Sequence, residues 1–209
     1  MELLFVQVSI LIMSVVIHEV FHGIAAFMLG DPTAKMMGRL TLNPIKHLDP
    51  IGSVLVPLFL VITKSPFLFG WAKPVPYNPY NLKNQRYGSA IVGFAGPGAN
   101  LLVALVFGLA LRFSNMFDIS SSLLSSFLEV FSLIVFINLL LAVFNLVPIP
   151  PLDGSKILFT LLPYYMKDLR FFLERYGFII LIFFIFFLFQ FLYPAILFFY
   201  ILITGQHIF

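Results

Sequence analysis

The chain has 209 residues, of which 61% are hydrophobic and only 10% are charged. Soluble domains are about 45–50% apolar and about 25% charged, so this composition excludes an ordinary soluble fold and requires lipid around the protein. The length suits one domain over residues 1–209. The net charge is +3, and the basic residues lie in short loops and form no continuous face, which excludes a nucleic-acid-binding surface.

Five long apolar runs follow one another along the chain, and about 20 apolar residues are enough to span a bilayer as a helix. They cover residues 3–29, 51–69, 88–113, 127–147 and 178–204. Polar residues and a proline at 63–66 interrupt the second run, and Pro194 lies inside the last. These runs predict an all-α polytopic membrane protein with four to six transmembrane helices.

The basic residues indicate how the second run is placed. If residues 51–69 enter the membrane and return to the same side, loops 30–50, 63–87 and 148–177 share that side and hold 11 of the 12 basic residues. A full crossing would divide them four to eight, which the positive-inside rule disfavours. We therefore predict four spanning helices and a re-entrant segment at 51–69, with the N-terminus outside. The alternative is a broken last run that adds one short crossing.

The first apolar run contains a charged motif, His18-Glu19-Val20-Phe21-His22. At 3.6 residues per turn, His18 and His22 lie one turn apart on the same helix face, where two imidazoles can bind one divalent ion. Glu19 lies beside them and can reach a water on the metal rather than the metal itself, as in the HExxH motif of zinc peptidases. Ionisable groups inside a membrane helix are costly, so they indicate a function.

A catalytic zinc ion usually has three protein ligands and one open position, so two histidines leave the site incomplete. The chain has no cysteine, and the remaining candidates are Asp31, His47, Asp49, Glu129 and Asp153. Asp153 follows the fourth run on the predicted side of the histidine pair, so the two can meet at one depth. The sequence is equally consistent with Asp153 as a helix N-cap after a proline-rich turn.

Three stretches of sequence together resemble the site-2 protease family of intramembrane zinc metalloproteases. They are the HExxH motif with its following glycine at 18–23, FAGPGAN at 94–100 and NLVPIPPLDG at 145–154. Residues 38–44 and 70–76 resemble a compact prokaryotic branch of that family without a PDZ insert. The resemblance implies that His18, His22 and Asp153 bind Zn²⁺, that Glu19 is the general base, and that Asn145 occupies the family's polar position before the ligand aspartate.

The same resemblance implies a function and a location. It predicts a single integral membrane metalloprotease domain over residues 1–209, in the cell membrane of a prokaryote. The expected reaction is hydrolysis of peptide bonds within or near the transmembrane segments of membrane protein substrates. We expect the Asn145 amide to lie close to the metal and to bind the substrate backbone or the developing oxyanion.

Other polar and small residues have plainer interpretations. Asn138 shares a helix face with Asn145, and we interpret it as an interhelical hydrogen-bonding residue. Gly96 and Gly98 predict close helix packing, which would bring Asn100 near the site. His47 is expected in an interfacial loop.

Two other functions use the same residues. A multi-pass metal-ion transporter could use His18, His22 and Asp153 as a transit site, but such proteins often show internal repeats, which this chain lacks, and a transit site has no need of Glu19. An inactive scaffold of the same fold is disfavoured because all four residues of the metal chemistry are present.

Overall fold

The computed structural model describes residues 2–63, 72–114 and 122–206. Within them, four helices are long and apolar enough to cross a membrane, namely Leu4–Met28, Gly88–Ser114, Ser126–Asn145 and Tyr164–Thr204. The described part of the chain is helical without strands. The prediction of an all-α polytopic membrane protein is confirmed, and the number of crossings is at the lower end of the predicted range.

Eight α-helices make up most of the described part of the chain. They are α1 (Glu2–Met28), α2 (Thr33–Met36), α3 (Val56–Ile62), α4 (Gly88–Ser114), α5 (Ser122–Asn145), α6 (Gly154–Leu161), α7 (Lys167–Phe183) and α8 (Tyr193–Thr204). Short 3₁₀ turns lie at Pro44–His47, Pro79–Asn81, Tyr164–Met166 and Phe189–Leu192, and π-helical turns lie at Pro50–Leu55 and Phe184–Leu188. α1 is followed by Gly30 in a left-handed conformation (φ 108°), a common way for a helix to stop.

The loops that follow α1, precede α4 and follow α5 meet at one end of the bundle, which we call the inner end. The Lys83 amide donates to the Leu29 carbonyl at 2.8 Å, so the loop before α4 lies against the end of α1. A Cβ atom on Gly93 of α4 would lie 3.0 Å from Lys156 Cβ, so α6 packs on the start of α4. The described parts of the three basic loops that the sequence placed on one side therefore meet at the inner end.

The second apolar run is short in the structure. Its helical turns at Pro50–Leu55 and Val56–Ile62 have six and seven residues, roughly 20 Å of helix against a hydrocarbon layer of about 30 Å. The Lys73 amide donates to the His47 carbonyl at 2.8 Å, so the chain leaves the inner end at residue 47 and is back there at residue 73. This supports the re-entrant segment; residues 64–71, where it would turn back, lie outside the described part of the chain.

The last apolar run crosses once. Leu181 of α7 packs on Val147 and Leu152 at the inner end. The Arg112 guanidinium, at the far end of α4, donates to the Leu202 carbonyl of α8. The π and 3₁₀ turns between α7 and α8 interrupt the helix without adding a crossing, so the alternative of a broken last run with one more short crossing is wrong.

The core of the bundle lies between α4, α5 and α8. The cluster of buried residues that joins these helices consists of Ala104, Leu111, Val135, Leu139, Ile196 and Tyr200. The outward faces carry large exposed apolar side chains, including Phe5, Leu102, Phe127, Phe178 and Phe198. A surface of this kind is stable only in lipid, since water would not solvate it.

Candidate metal centre

One face of α1 carries a stripe of buried polar residues. Ser14, His18 and His22 follow one another at intervals of four residues, so they lie on one side of the helix. All three are buried, and this side of α1 faces α4. The prediction that the two imidazoles share a helix face is therefore confirmed.

The two histidines and Asp153 converge on a small space. His18 Nε2 and His22 Nε2 lie 3.0 Å apart, and Asp153 Oδ2 lies 3.0 Å from each. Zinc bonds of ~2.0–2.2 Å place neighbouring ligand atoms of a tetrahedral site roughly 3.3–3.6 Å apart, so the observed triangle needs only a small expansion to hold an ion. Among the described residues, these three form the one group that could hold a metal.

The hydrogen bonds behind the imidazoles determine their protonation. His22 Nδ1 lies 2.6 Å from the Val92 carbonyl, which can only accept, so Nδ1 carries the proton. The Asn100 amide nitrogen donates to the Ser14 carbonyl and to Asn138 Oδ1, so Asn100 Oδ1 accepts from His18 Nδ1 at 2.6 Å. In the neutral rings both Nε2 atoms are then bare acceptors. Three acceptor atoms that face one another at 3.0 Å require a cation or a proton between them.

Gly96 of α4 leaves the space beside these atoms free. A Cβ atom on Gly96 would collide with His22 Nε2 and would lie 2.6 Å from His18 Nε2 and from His22 Cε1. The absence of a side chain at this position therefore keeps room at the two metal-facing nitrogens. The close packing predicted from Gly96 also brings Asn100, one turn later, onto His18.

Asp153 is not a helix cap. It precedes α6 at the N-cap position, but its side chain makes no capping hydrogen bond. Instead, Oδ2 faces the two imidazoles and Oδ1 accepts from Lys156 Nζ at 2.8 Å. The interpretation of Asp153 as an N-cap is therefore wrong, because both oxygens are engaged elsewhere.

The charge of Asp153 is maintained by its surroundings. Burial raises the pKa of its carboxyl, but hydrogen bonds from the imidazoles in their protonated form, the charge of that form and the charge of Lys156 outweigh burial and hold that pKa well below its ordinary value. Burial likewise lowers the pKa of the Lys156 ammonium, and the Asp153 carboxylate more than offsets it, so this pKa is raised.

The other candidate ligands have different roles. The Asp31 carboxylate accepts from Thr33, from the Asn78 amide and from Asn81, and so ties the start of the first loop to the loop before α4. Asp49 accepts from the amides of residues 51 and 52 and caps the π-helical turn. His47 is buried, and its Nε2 bonds the Thr41 carbonyl. Glu129 lies on α5, outside the group.

Glu19 lies beside the triangle and has a partner of its own. Its Oε2 accepts from the Val75 amide at 2.8 Å. Val75 lies between Pro74 and Pro76, which have no N–H, so its amide is the one backbone donor that residues 74–76 can offer. The segment that follows the re-entrant run thus holds the Glu19 carboxylate at the site.

Asn145 has a local hydrogen-bond partner. It ends α5 at the inner end, and its amide donates to the Leu141 carbonyl one turn earlier. Among the hydrogen bonds of the described residues, none joins Asn145 to His18, His22 or Asp153, and a place for its amide close to the metal stays a prediction.

Sequence reasoning missed several residues of this centre. Ser14 lies four residues before His18, and a polar residue on that face of a membrane helix was a usable signal. Asn138 is an interhelical hydrogen-bonding residue, as we predicted, but its place in the network behind His18 was not foreseen: it donates to Ser14 Oγ at 2.9 Å and accepts from the Asn100 amide. Lys156 follows Asp153 by three residues, a spacing at which helical side chains meet.

Comparison with known proteins gives a consistent result. The model of peptidase family M50 matches residues 6–189. YwhC of Bacillus subtilis (strain 168), named as a candidate zinc metalloprotease, is 41% identical over 172 residues, which cover 81% of this chain and 75% of YwhC. Rip2 of Mycolicibacterium smegmatis, named in the same way, is 33% identical over 144 residues, 68% of this chain and 52% of Rip2. No solved structure matches the chain significantly.

Proposed function

The chain belongs to peptidase family M50, and on that basis we propose that it is an intramembrane zinc metalloendopeptidase. It resembles the site-2 proteases in all three signature regions, and its four spanning helices make it a multi-pass membrane protein. The single observation that carries the proposal is the meeting of the HExxH pair, inside a spanning helix, with one oxygen of Asp153.

We propose that His18 Nε2, His22 Nε2 and Asp153 Oδ2 hold the zinc ion. Support comes from the three bare acceptors at mutual distances of 3.0 Å and from the space that Gly96 leaves beside them. A zinc ion in such a site acts as a Lewis acid that activates water and polarises the peptide carbonyl.

Glu19 is proposed as the general base. It lies next to His18 in the sequence but outside the triangle, so it can take the proton from the attacking water and pass it to the leaving amine. The bond from the Val75 amide orients this carboxylate before substrate arrives.

Asn145 is proposed to bind the substrate backbone or the developing oxyanion. Its position at the end of α5 puts it at the inner end, eight residues before Asp153 in the sequence. Its amide must then leave the Leu141 carbonyl and rotate toward the substrate. Losing one oxyanion donor typically costs about 10²–10³ in rate, so Asn145→Ala should lower kcat strongly while zinc content stays full. A zinc-loaded Asn145→Ala enzyme with the turnover of the wild type would leave Asn145 a purely structural role.

The substrates are proposed to be other membrane proteins, cut within or near their transmembrane segments. A helix protects its peptide bonds with its own hydrogen bonds, so the substrate must unwind locally near the inner end. We place the enzyme in the plasma membrane of a prokaryote, where the basic inner loops face the cytoplasm. The metal-transporter alternative receives no support from the relatives, whose names describe zinc metalloproteases.

The proposal is tested with the purified wild type and three variants in detergent. Zinc per chain is measured by elemental analysis, and cleavage is measured on a membrane-spanning peptide with a fluorophore and a quencher. Glu19→Gln should retain one zinc and lose cleavage, whereas Asp153→Ala should lose zinc and activity. Asp49→Ala, the matched control at the inner end, should retain both. A wild type that binds no zinc, or a Glu19→Gln variant that cleaves normally, would contradict the proposal.

A further inference from the structure

We propose that Lys156 is a positioning residue of the metal centre, which holds one oxygen of Asp153 so that the carboxylate offers only the other to the metal. The inference rests on the proposed zinc site. It concerns a residue that lies outside the HExxH motif and outside the set of ligands.

The two oxygens of Asp153 have separate partners. Lys156 Nζ donates to Oδ1 at 2.8 Å, and Oδ2 lies 3.0 Å from both imidazole nitrogens. The carboxylate side chain is 9% exposed, so water has little access to either oxygen. A donor fixed on Oδ1 therefore determines which oxygen, and which lone pairs, face His18 and His22.

Lys156 is itself held in place. A Cβ atom on Gly93 would lie 3.1 Å from Lys156 Cδ and from the Asp153 carbonyl, so the lysine stem lies tightly against α4. The ammonium also lies 5.5 Å from the centre of the Tyr77 ring, at a distance typical of cation–π contact. An ordinary surface pair on a helix has neither feature, since both side chains then move freely in solvent.

The chemical consequence concerns the number of metal bonds. A carboxylate with two free oxygens can bind an ion through both, which would fill the position that a catalytic zinc site keeps open. A charged hydrogen bond to Oδ1 competes with that second bond. Groups that hold a metal ligand in this way typically change affinity or activity by roughly 10–100-fold when they are removed.

The test compares Lys156→Met with Lys156→Arg in the full chain. Zinc X-ray absorption reports the number of oxygen ligands, and cleavage of the membrane-spanning peptide gives kcat. In zinc-loaded Lys156→Met we expect an added oxygen ligand and a kcat roughly 10–100-fold lower. Lys156→Arg keeps the charge and the hydrogen bond and should restore the wild-type absorption spectrum. Lys167→Met, which removes an ammonium of α7 from the same end of the bundle, is the matched control.

An unchanged zinc spectrum in folded, zinc-loaded Lys156→Met would overturn the inference, whatever its kcat. If the methionine variant does not fold, Lys156→Leu carries the same comparison, because its side chain likewise has neither a charge nor a hydrogen-bond donor for Oδ1. Failure of the zinc site itself would look different, since the wild type would then bind no zinc. If the wild type binds one zinc and cleaves normally, and the zinc spectrum of Lys156→Met is unchanged, only the role of Lys156 is refuted.

Discussion

Replacing Asn100 by alanine should weaken the metal centre without touching a metal ligand. Asn100 is fully buried on α4 and connects His18 with Ser14 of α1 and Asn138 of α5. The substitution removes the acceptor that keeps the His18 proton on Nδ1. His18 can then rotate or take the other tautomer, in which Nε2 carries the proton and cannot bind a metal.

The size of the effect follows from the groups left without partners. The Ser14 carbonyl lies inside α1 and keeps its helical hydrogen bond, but the His18 Nδ1–H and Asn138 Oδ1 lose theirs. An unsatisfied buried group costs about 1–3 kcal/mol, so the free energy of unfolding should fall by about 2–6 kcal/mol. Interhelical hydrogen bonds in membranes average only about 0.6 kcal/mol, which favours the lower end of that range. Zinc affinity should fall by roughly 10–100-fold.

The assay combines chelator competition for zinc with thermal unfolding in detergent, each with and without zinc. Asn138→Ala is the matched control, because it removes a member of the network and leaves the bond between Asn100 and His18. It should lower stability with little change in zinc affinity. Asn100→Asp keeps an acceptor for His18 and should retain most of the zinc affinity. Wild-type zinc affinity in Asn100→Ala would refute the reasoning that this amide determines the tautomer.

Three further predictions follow from the geometry. Gly96→Ala places a Cβ atom against both Nε2 atoms and should abolish zinc binding, which elemental analysis measures. Gly98→Ala is the control, because its Cβ atom meets only the Phe94 ring at 3.2 Å and the variant should retain one zinc. Val75→Pro removes the amide that holds Glu19 and should lower kcat about tenfold at full zinc content, which corresponds to about 1.5 kcal/mol. Val75→Ala keeps the N–H, and its kcat should stay within about twofold of the wild-type kcat. Burial raises the Asp31 pKa, but hydrogen bonds from Thr33 and the loop before α4 outweigh burial, so the folded pKa is lowered. Asp31 therefore contributes stability above its unfolded pKa of about 4, and this stability is lost as pH falls through the lower folded pKa. The difference in unfolding temperature between the wild type and Asp31→Asn should therefore shrink on acidification below about pH 4, and a difference independent of pH would contradict it.

The sequence by itself determined the class of protein, the four spanning helices and the histidine pair. Composition and run length decide whether a segment is stable in lipid, and both are local properties of the chain. The spacing of His18 and His22 is local as well, since one helical turn brings them together whatever surrounds them. The meeting of the basic loops at one end of the bundle was predicted from the number of basic residues in each loop.

Only the tertiary structure decided which distant groups meet that pair. Asp153 is 135 residues from His18, and the sequence around it fits a helix cap as well as a metal ligand. The packing of α6 on α4 decides between them, because it places the Asp153 carboxylate against the imidazoles. Asn100 reaches His18 across 82 residues because Gly96 lets two helices approach closely. The orientation of each side chain depends on which helix faces pack together, and no local pattern along the chain contains that information.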